Sequence, residues 1–295
     1  MESVPRLRVA AVAFLASCMA AGSAGAHDFP LAAQAAQAAQ AAAPAAGAPS
    51  MVLFRNVRIF DGKSGRVSGP GDVLVRGNRI DRIGVGLAPE PAARVIDGGG
   101  RVLMPGLIDA HWHSMMAAPS LGAILNGDQR YLTAIAAAES TRTLMRGFTS
   151  VRDVGGNSFG LKQAVDEGVL PGPRIYASGA MISVTSGHGD FRQASDLPRT
   201  MGVPGPTDLE GDTAIADSPD EVRMRVREQL MRGAAQIKLT AGGGVSSPHS
   251  PLDAITFTPA ELRAAVEAAG NWGTYVTCMP TPQRPCATRS RRGSR

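Results

Sequence analysis

From Pro105 to Thr277 the chain alternates short apolar runs with amphipathic ones, and that repeat constrains the fold more than any other feature. "GLIDAHWH" reads as a strand and "DQRYLTAIAAAESTRTLMRG" as a helix stopped at Gly147, and "TSVRDVGG" with "FGLKQAVDEG" repeats the pair. "RIYASG" predicts a third strand, followed by a long loop to Asp217. "SPDEVRMRVREQLMRG", opened by Ser218 and Pro219, predicts a helix, and "AQIKLTAGG" a fourth strand. Thr258 and Pro259 open "TPAELRAAVEAAG", with threonine placed to cap and proline at the first helical position. A fifth strand begins at Thr274. Regular alternation of this kind calls for parallel strands covered by helices, and four complete units with a fifth strand make about half of a (β/α)8 barrel.

The sequence before the barrel has a different texture. "MVLFRNVRIFDG", "GDVLVRGNRIDRIG" and "ARVIDGGGRVLMPG" are short alternating runs broken by glycine turns, so residues 51–104 are expected to form a small β-domain. Residues 27–50 are an Ala/Gln-rich linker with too little apolar bulk for a core. Residues 1–26 have the three-part form of an export signal: Arg6 and Arg8, an apolar run from Val9, then small residues. Ala24-Gly25-Ala26 suits an ordinary signal peptidase. "LASC" instead offers Cys18 for a lipid anchor. The expectation is an exported protein, periplasmic or secreted or alternatively a lipoprotein, with no transmembrane segment in its mature form.

Charge and cysteine exclude two classes. Of the net +5, Arg284, Arg289, Arg291, Arg292 and Arg295 all lie at the C-terminus, and without them the remainder is neutral, so no groove for nucleic acid is expected. Cys18 lies in the signal, and Cys278 and Cys286 follow strand five, so no disulfide framework is expected either. Residues 278–295 are an aberrant Arg/Pro-rich tail where strand five should continue. Back-translated one base towards the 5′ end, they can encode a completed strand with a histidine, followed by a Thr-Pro helix start. The expectation is therefore a frameshift after about Thr277, leaving a barrel with open edges that is unstable or dependent on a partner.

Two places carry chemistry. His111 and His113 stand two apart on a strand, so both rings emerge on one face while Trp112 takes the other. Such a pair either holds a metal ion or hydrogen-bonds in the core, and its position at the carboxyl end of the first barrel strand favours the site reading. In "QIKLTAGGG" the alternation turns Ile237 and Leu239 towards the helices and Lys238 into the barrel. An unpaired ammonium there is costly, so Lys238 needs a salt bridge, a path to solvent or a chemical change.

"PGLIDAHWH" at Pro105 to His113 resembles, nearly letter for letter, the signature of the amidohydrolase superfamily of metal-dependent hydrolases. The resemblance spans about Met51 to Thr277 in element order. It implies an α/β fold: a (β/α)8 TIM barrel, incomplete here at about four and a half units over 105–277, preceded by part of a small β-sandwich over 51–104. "ISVTSGHGD" and "TAGGGVSSPHSP" resemble pocket loops of the Xaa-Pro dipeptidase-like and imidazolonepropionase-like branch.

By that resemblance His111, His113 and Lys238 are metal ligands, with Lys238 N-carboxylated by CO2, and His188 binds substrate. The implied cofactor is Zn2+, a pair in full-length members and one or none here. Asp153, ending "VRDVGG", is either a site residue or a structural hydrogen-bonding group, and His249 is an exposed loop residue. The family's remaining histidines after strands five and six and its general-base aspartate after strand eight have no counterpart, so no catalytic residue is assigned. The implied function is hydrolysis of an amide or peptide C–N bond, with an Xaa-Pro or related dipeptide as substrate, through a metal-activated hydroxide, this chain being inactive as written. The alternative is a non-catalytic half-barrel that needs a partner chain or a second copy.

Overall fold

The computed structural model describes residues 50–279. The expected signal peptide with Cys18, the linker up to residue 49, and the tail from residue 280 with Cys286 lie outside the described residues. The chain divides into two compact units, 50–60 with 66–103 and 61–65 with 104–279. Among the described residues no helix is long and apolar enough to cross a membrane.

The first unit is one mixed sheet. Strands β1 (Met51–Phe60), β2 (Val67–Arg76) and β3 (Arg79–Gly84) run antiparallel, while β4 (Ala93–Asp97) and β5 (Val102–Leu103) pair with β1 in parallel. Gly77 in the two-residue β2–β3 turn has φ 60°, a conformation glycine adopts without strain. Leu53 and Val57 of β1 with Val73 and Leu74 of β2 are buried. A register shift between Phe54 and Val57 puts Asn56 at φ 49°, and the Asp72 carboxylate secures it by accepting from the backbone N–H groups of Asn56 and Leu87 at 3.1 and 2.9 Å.

The second unit is a run of parallel strands with covering helices. Strand β6 (Leu107–Trp112) leads through α1 (Leu121–Asn126) and α2 (Gln129–Met145) to β7 (Phe148–Asp153), and α3 (Phe159–Asp166) leads to β8 (Arg174–Ala177). The order β6-β7-β8 is parallel throughout. The third barrel strand pauses after Ala177. After Ser178-Gly179-Ala180, with Gly179 at φ 72°, it resumes as β9 (Met181–Ser183) and pairs with β11 (Ile237–Leu239), which pairs with β12 (Val276–Cys278). The break is bridged from the next strand. Ala235 donates its N–H to Ala177 O at 2.8 Å, and the buried Gln236 side chain donates to Asp153 O and Tyr176 O, both at 2.9 Å. Five barrel positions are thus occupied, those of an incomplete (β/α)8 barrel.

One expectation is corrected. The long loop before Asp217 contains β9, a short helix α4 (Pro206–Leu209) and strand β10 (Thr213–Ile215), which pairs with β9 on the side away from β11. Its proline and glycine punctuation hid three-residue strands that hold their shape only by pairing. Cys278 is disulfide-bonded, although the sequence offers no disulfide framework.

The core sits between sheet and helices. Ile237 and Leu239 are fully buried against Val222 and Val226 of α5 (Pro219–Met231) and Ala265 and Ala269 of α6 (Pro259–Asn271). Both helices start as their sequences specify. Ser218 Oγ accepts from Glu221 N, and Thr258 with Glu261 forms a reciprocal capping box. Thr258→Ala should lower stability by about 1 kcal/mol, measured by urea denaturation.

Candidate functional site

The site lies at the carboxyl ends of the parallel strands, where β6, β7, β9 and β11 deliver their last residues. His111, His113 and His188 line one cavity of about 450 Å3, whose remaining wall is mostly apolar and includes Trp112, Met116, Ile124, Met181 and Phe191. Trp112 also packs against the buried cluster that contains Ala136 of α2 and Leu161 of α3. The register of β6 on β7 shifts between Asp109 and Trp112.

The two histidines of "HWH" are held differently. Their ring centroids are 5.4 Å apart and tilted by 56°. His111 is exposed on β6, an edge strand among the described residues. Burial and the nearby Lys238 and Arg152 charges lower its basicity, against the opposing pull of Asp109. His113 is half-buried, and burial pushes its pKa down to about 4. Its Nδ1 lies 3.2 Å from Gly155 O. A carbonyl only accepts, so Nδ1 carries the proton and the Nε2 lone pair is left to bind a cation.

Asp153 explains why His113 stays in place. Its fully buried carboxylate accepts from Ser114 N at 2.7 Å and Gly155 N at 3.2 Å, tying the residue after His113 to the loop whose carbonyl holds the ring. Burial pushes its pKa up to about 6. These bonds give Asp153 the structural role that was one of the two readings open in the sequence, and they tie that role to the site. An added Cβ on Gly155 would lie 2.2 Å from Met181 Cγ and 3.2 Å from His113 Cε1. Only a glycine lets this loop close over the ring.

Lys238 is 1% exposed and is the largest fully buried side chain. Burial, then the Arg152 charge, pushes its pKa down to about 8, and no acidic group among the described residues offsets them. Among the described residues neither the salt bridge nor the open path to solvent that the sequence left available is realised. Its charge in turn depresses the basicity of His111, His113 and His188, so the structure brings the four expected residues into one electrostatic neighbourhood.

His188 comes from the loop after β9 and is seated by the loop after β11. Its Nδ1 lies 3.0 Å from Ser247 Oγ, and its ring lies over Gly244, where a Cβ would be 2.2 Å from Nδ1. The two loops are tied again by Gly189 N donating to Ser247 Oγ and Ser186 Oγ donating to His249 O. The His249 side chain is exposed. Sequence reasoning missed Ser247, whose only signal was its place in "GGGVSSPHS".

Among the described residues no three or more His, Cys, Asp or Glu side chains are grouped to hold a metal ion. Two imidazoles converge with a buried amine that lacks a counter-charge, which fits a borderline cation such as zinc once the amine is made anionic.

The Amidohydrolase family profile matches residues 102–278. Ochratoxinase from Aspergillus niger is 34% identical over 195 residues, 60% of this chain and 38% of that protein. A prolidase crystallised with N-methylphosphonate-L-proline superimposes with a TM-score of 0.71 at 34% identity, over 78% of this chain and 56% of its own. A Xaa-Pro dipeptidase with methionine bound in its active site gives 0.67 at 30% identity over the same shares. The chain thus spans little more than half the length of these structures. With the profile covering more than half of the sequence, the protein belongs to the amidohydrolase family.

Proposed function

We propose that this chain carries the metal-binding half of an amide-bond hydrolase of prolidase-like specificity, with His111, His113 and carboxylated Lys238 as ligands and His188 contacting substrate. The single observation that carries the reading is the buried Lys238 amine, without a counter-charge, beside two imidazoles. Carboxylation resolves its position: the neutral amine adds to CO2, one N–C bond forms, one proton leaves, and the product is an anion able to ligate. A bound zinc ion would supply Lewis acidity, polarising the scissile carbonyl and activating water.

This chain's own residues do the rest. Gly155 O fixes the His113 tautomer, Asp153 fixes Gly155, and the apolar wall takes the side chain of a small peptide or amide substrate while limiting water. The substrate reading is supported by a prolidase complexed with N-methylphosphonate-L-proline and a Xaa-Pro dipeptidase with methionine in its active site. Among the described residues the donors suffice for one cation. Export through residues 1–26, with Cys18 as an alternative lipid anchor, belongs to the same proposal, as does the absence of a nucleic-acid partner.

A second reading, that the chain works only within an assembly, is favoured by apolar side chains exposed on edge strand β6 and beside β12: Leu107 at 43%, Ile108 at 71% and Tyr275 at 50%. One experiment addresses both. Purified protein is titrated with zinc with and without bicarbonate, its mass in solution is recorded, and Xaa-Pro dipeptides and N-acyl amino acids are offered as substrates. The expected result is about one zinc per chain, dependent on bicarbonate. No zinc uptake with bicarbonate present would reject the metal site, and hydrolysis confined to oligomeric fractions would establish the assembly.

A further inference from the structure

Two histidines of the cavity are bonded through the same ring atom, Nδ1, to partners of opposite character. For His113 the partner is the carbonyl of Gly155, which only accepts. For His188 it is a hydroxyl, which both donates and accepts. The surroundings of Ser247 decide which it does. Ser247 is 7% exposed, and its Oγ has two partners among the described residues: the N–H of Gly189 at 3.2 Å, which can only donate to it, and His188 Nδ1 at 3.0 Å. With Gly189 donating, the hydroxyl hydrogen needs an acceptor. His188 Nδ1 is the one within reach, and a proton placed there instead would leave the buried hydroxyl hydrogen unsatisfied.

We infer that Ser247 is a positioning residue that holds neutral His188 with its proton on Nε2, so that this ring presents a hydrogen-bond donor to the cavity and recognises a carbonyl or carboxylate oxygen of the substrate. The inference rests on the substrate-binding reading of His188 and deepens it. His113 and His188 then divide the work by tautomer: one offers a lone pair to a cation, the other an N–H to an oxygen. Gly244 makes the seat possible, because the ring lies where any other residue would place its Cβ. The tautomer also separates the two roles: as an Nε2–H donor, His188 is no ligand. Burial, then the Lys238 charge, lowers the basicity of His188 and keeps the neutral form dominant at pH 7.5, where a tautomer is defined.

The test is long-range 1H–15N correlation of the histidine rings in metal-free, substrate-free protein at pH 7.5, with His188 assigned through His188→Gln. The wild type should show the Nε2–H pattern for His188 and the Nδ1–H pattern for His113. Ser247→Ala should turn the His188 pattern into a mixture, and Ser247→Thr should restore it. Ser247→Asp, whose carboxylate can only accept, should invert it. A wild-type His188 with its proton on Nδ1, or an Nε2–H pattern unchanged in Ser247→Ala, would overturn the inference. The wild-type spectrum decides the tautomer even if a variant does not fold. Because no metal or turnover is involved, failure of the hydrolase reading appears separately, as absent zinc uptake or hydrolysis with the ring pattern intact.

Discussion

Lys238→Met should stabilise the metal-free protein by about 3 kcal/mol at pH 7 and abolish bicarbonate-dependent zinc uptake, the figure following from a pKa pushed down from 10.5 to about 8 at roughly 1.4 kcal/mol per unit. The sign follows from proton binding. Below pH 8 the folded and unfolded chains both hold the proton, and the folded one suffers the full penalty of a buried ammonium. Between about pH 8 and 10.5 the unfolded chain retains a proton the folded one has released, so stability rises with pH, and above 10.5 the penalty has gone. The difference between Lys238→Met and wild type should therefore be largest at pH 7 and nearly vanish by pH 10.5. Urea denaturation with a chelator in CO2-free buffer measures it. Zinc and 13C-bicarbonate should reverse the order, stabilising the wild type alone and giving it a carbamate carbon signal. A methionine variant less stable than wild type at pH 7 without metal would mean that the amine has a favourable partner, and the carboxylation reading would fall.

Lys238 also marks what the sequence makes legible. One lysine between Ile237 and Leu239 in a strand forces the amine to the face opposite the helices, and that needs nothing beyond period-two alternation. The caps at Ser218 and Thr258 are equally local, because a side chain and a backbone N–H three residues on satisfy each other. Strands β9 and β10 were illegible for the opposite reason. Three residues each have no period to detect, and their stability comes from partners 32 to 58 residues away, as between Met181 and Thr213 or Ile182 and Thr240. In the site, the histidines announced themselves by residue type, whereas their orientation did not. The Gly155 carbonyl and the Ser247 hydroxyl act through distances across loops, and nothing in "VGG" or "VSSP" says which ring they will meet.

The loop that orients His113 leads to the second large effect. Gly155→Ala should destabilise the fold by about 1–3 kcal/mol, the usual range for overpacking, and should remove most zinc binding. The new Cβ would meet Met181 Cγ at 2.2 Å and Sδ at 2.6 Å, and Met181 is buried at the start of β9, where it pairs with β10. It would also press on His113 Cε1 at 3.2 Å, and the glycine's φ of 154° is one that side chains rarely adopt. The two contacts can be separated. In Gly155→Ala/Met181→Ala the clash with the thioether is gone, so the two substitutions should be less harmful together than their sum, with a coupling of about 1 kcal/mol or more. The contact with His113 persists, so zinc affinity should stay low even where stability recovers. Thermal denaturation and zinc titration of the two single variants and the double variant measure these outcomes independently. Recovery of zinc binding along with stability would show that packing at Met181, and not placement of the His113 ring, is what Gly155 protects.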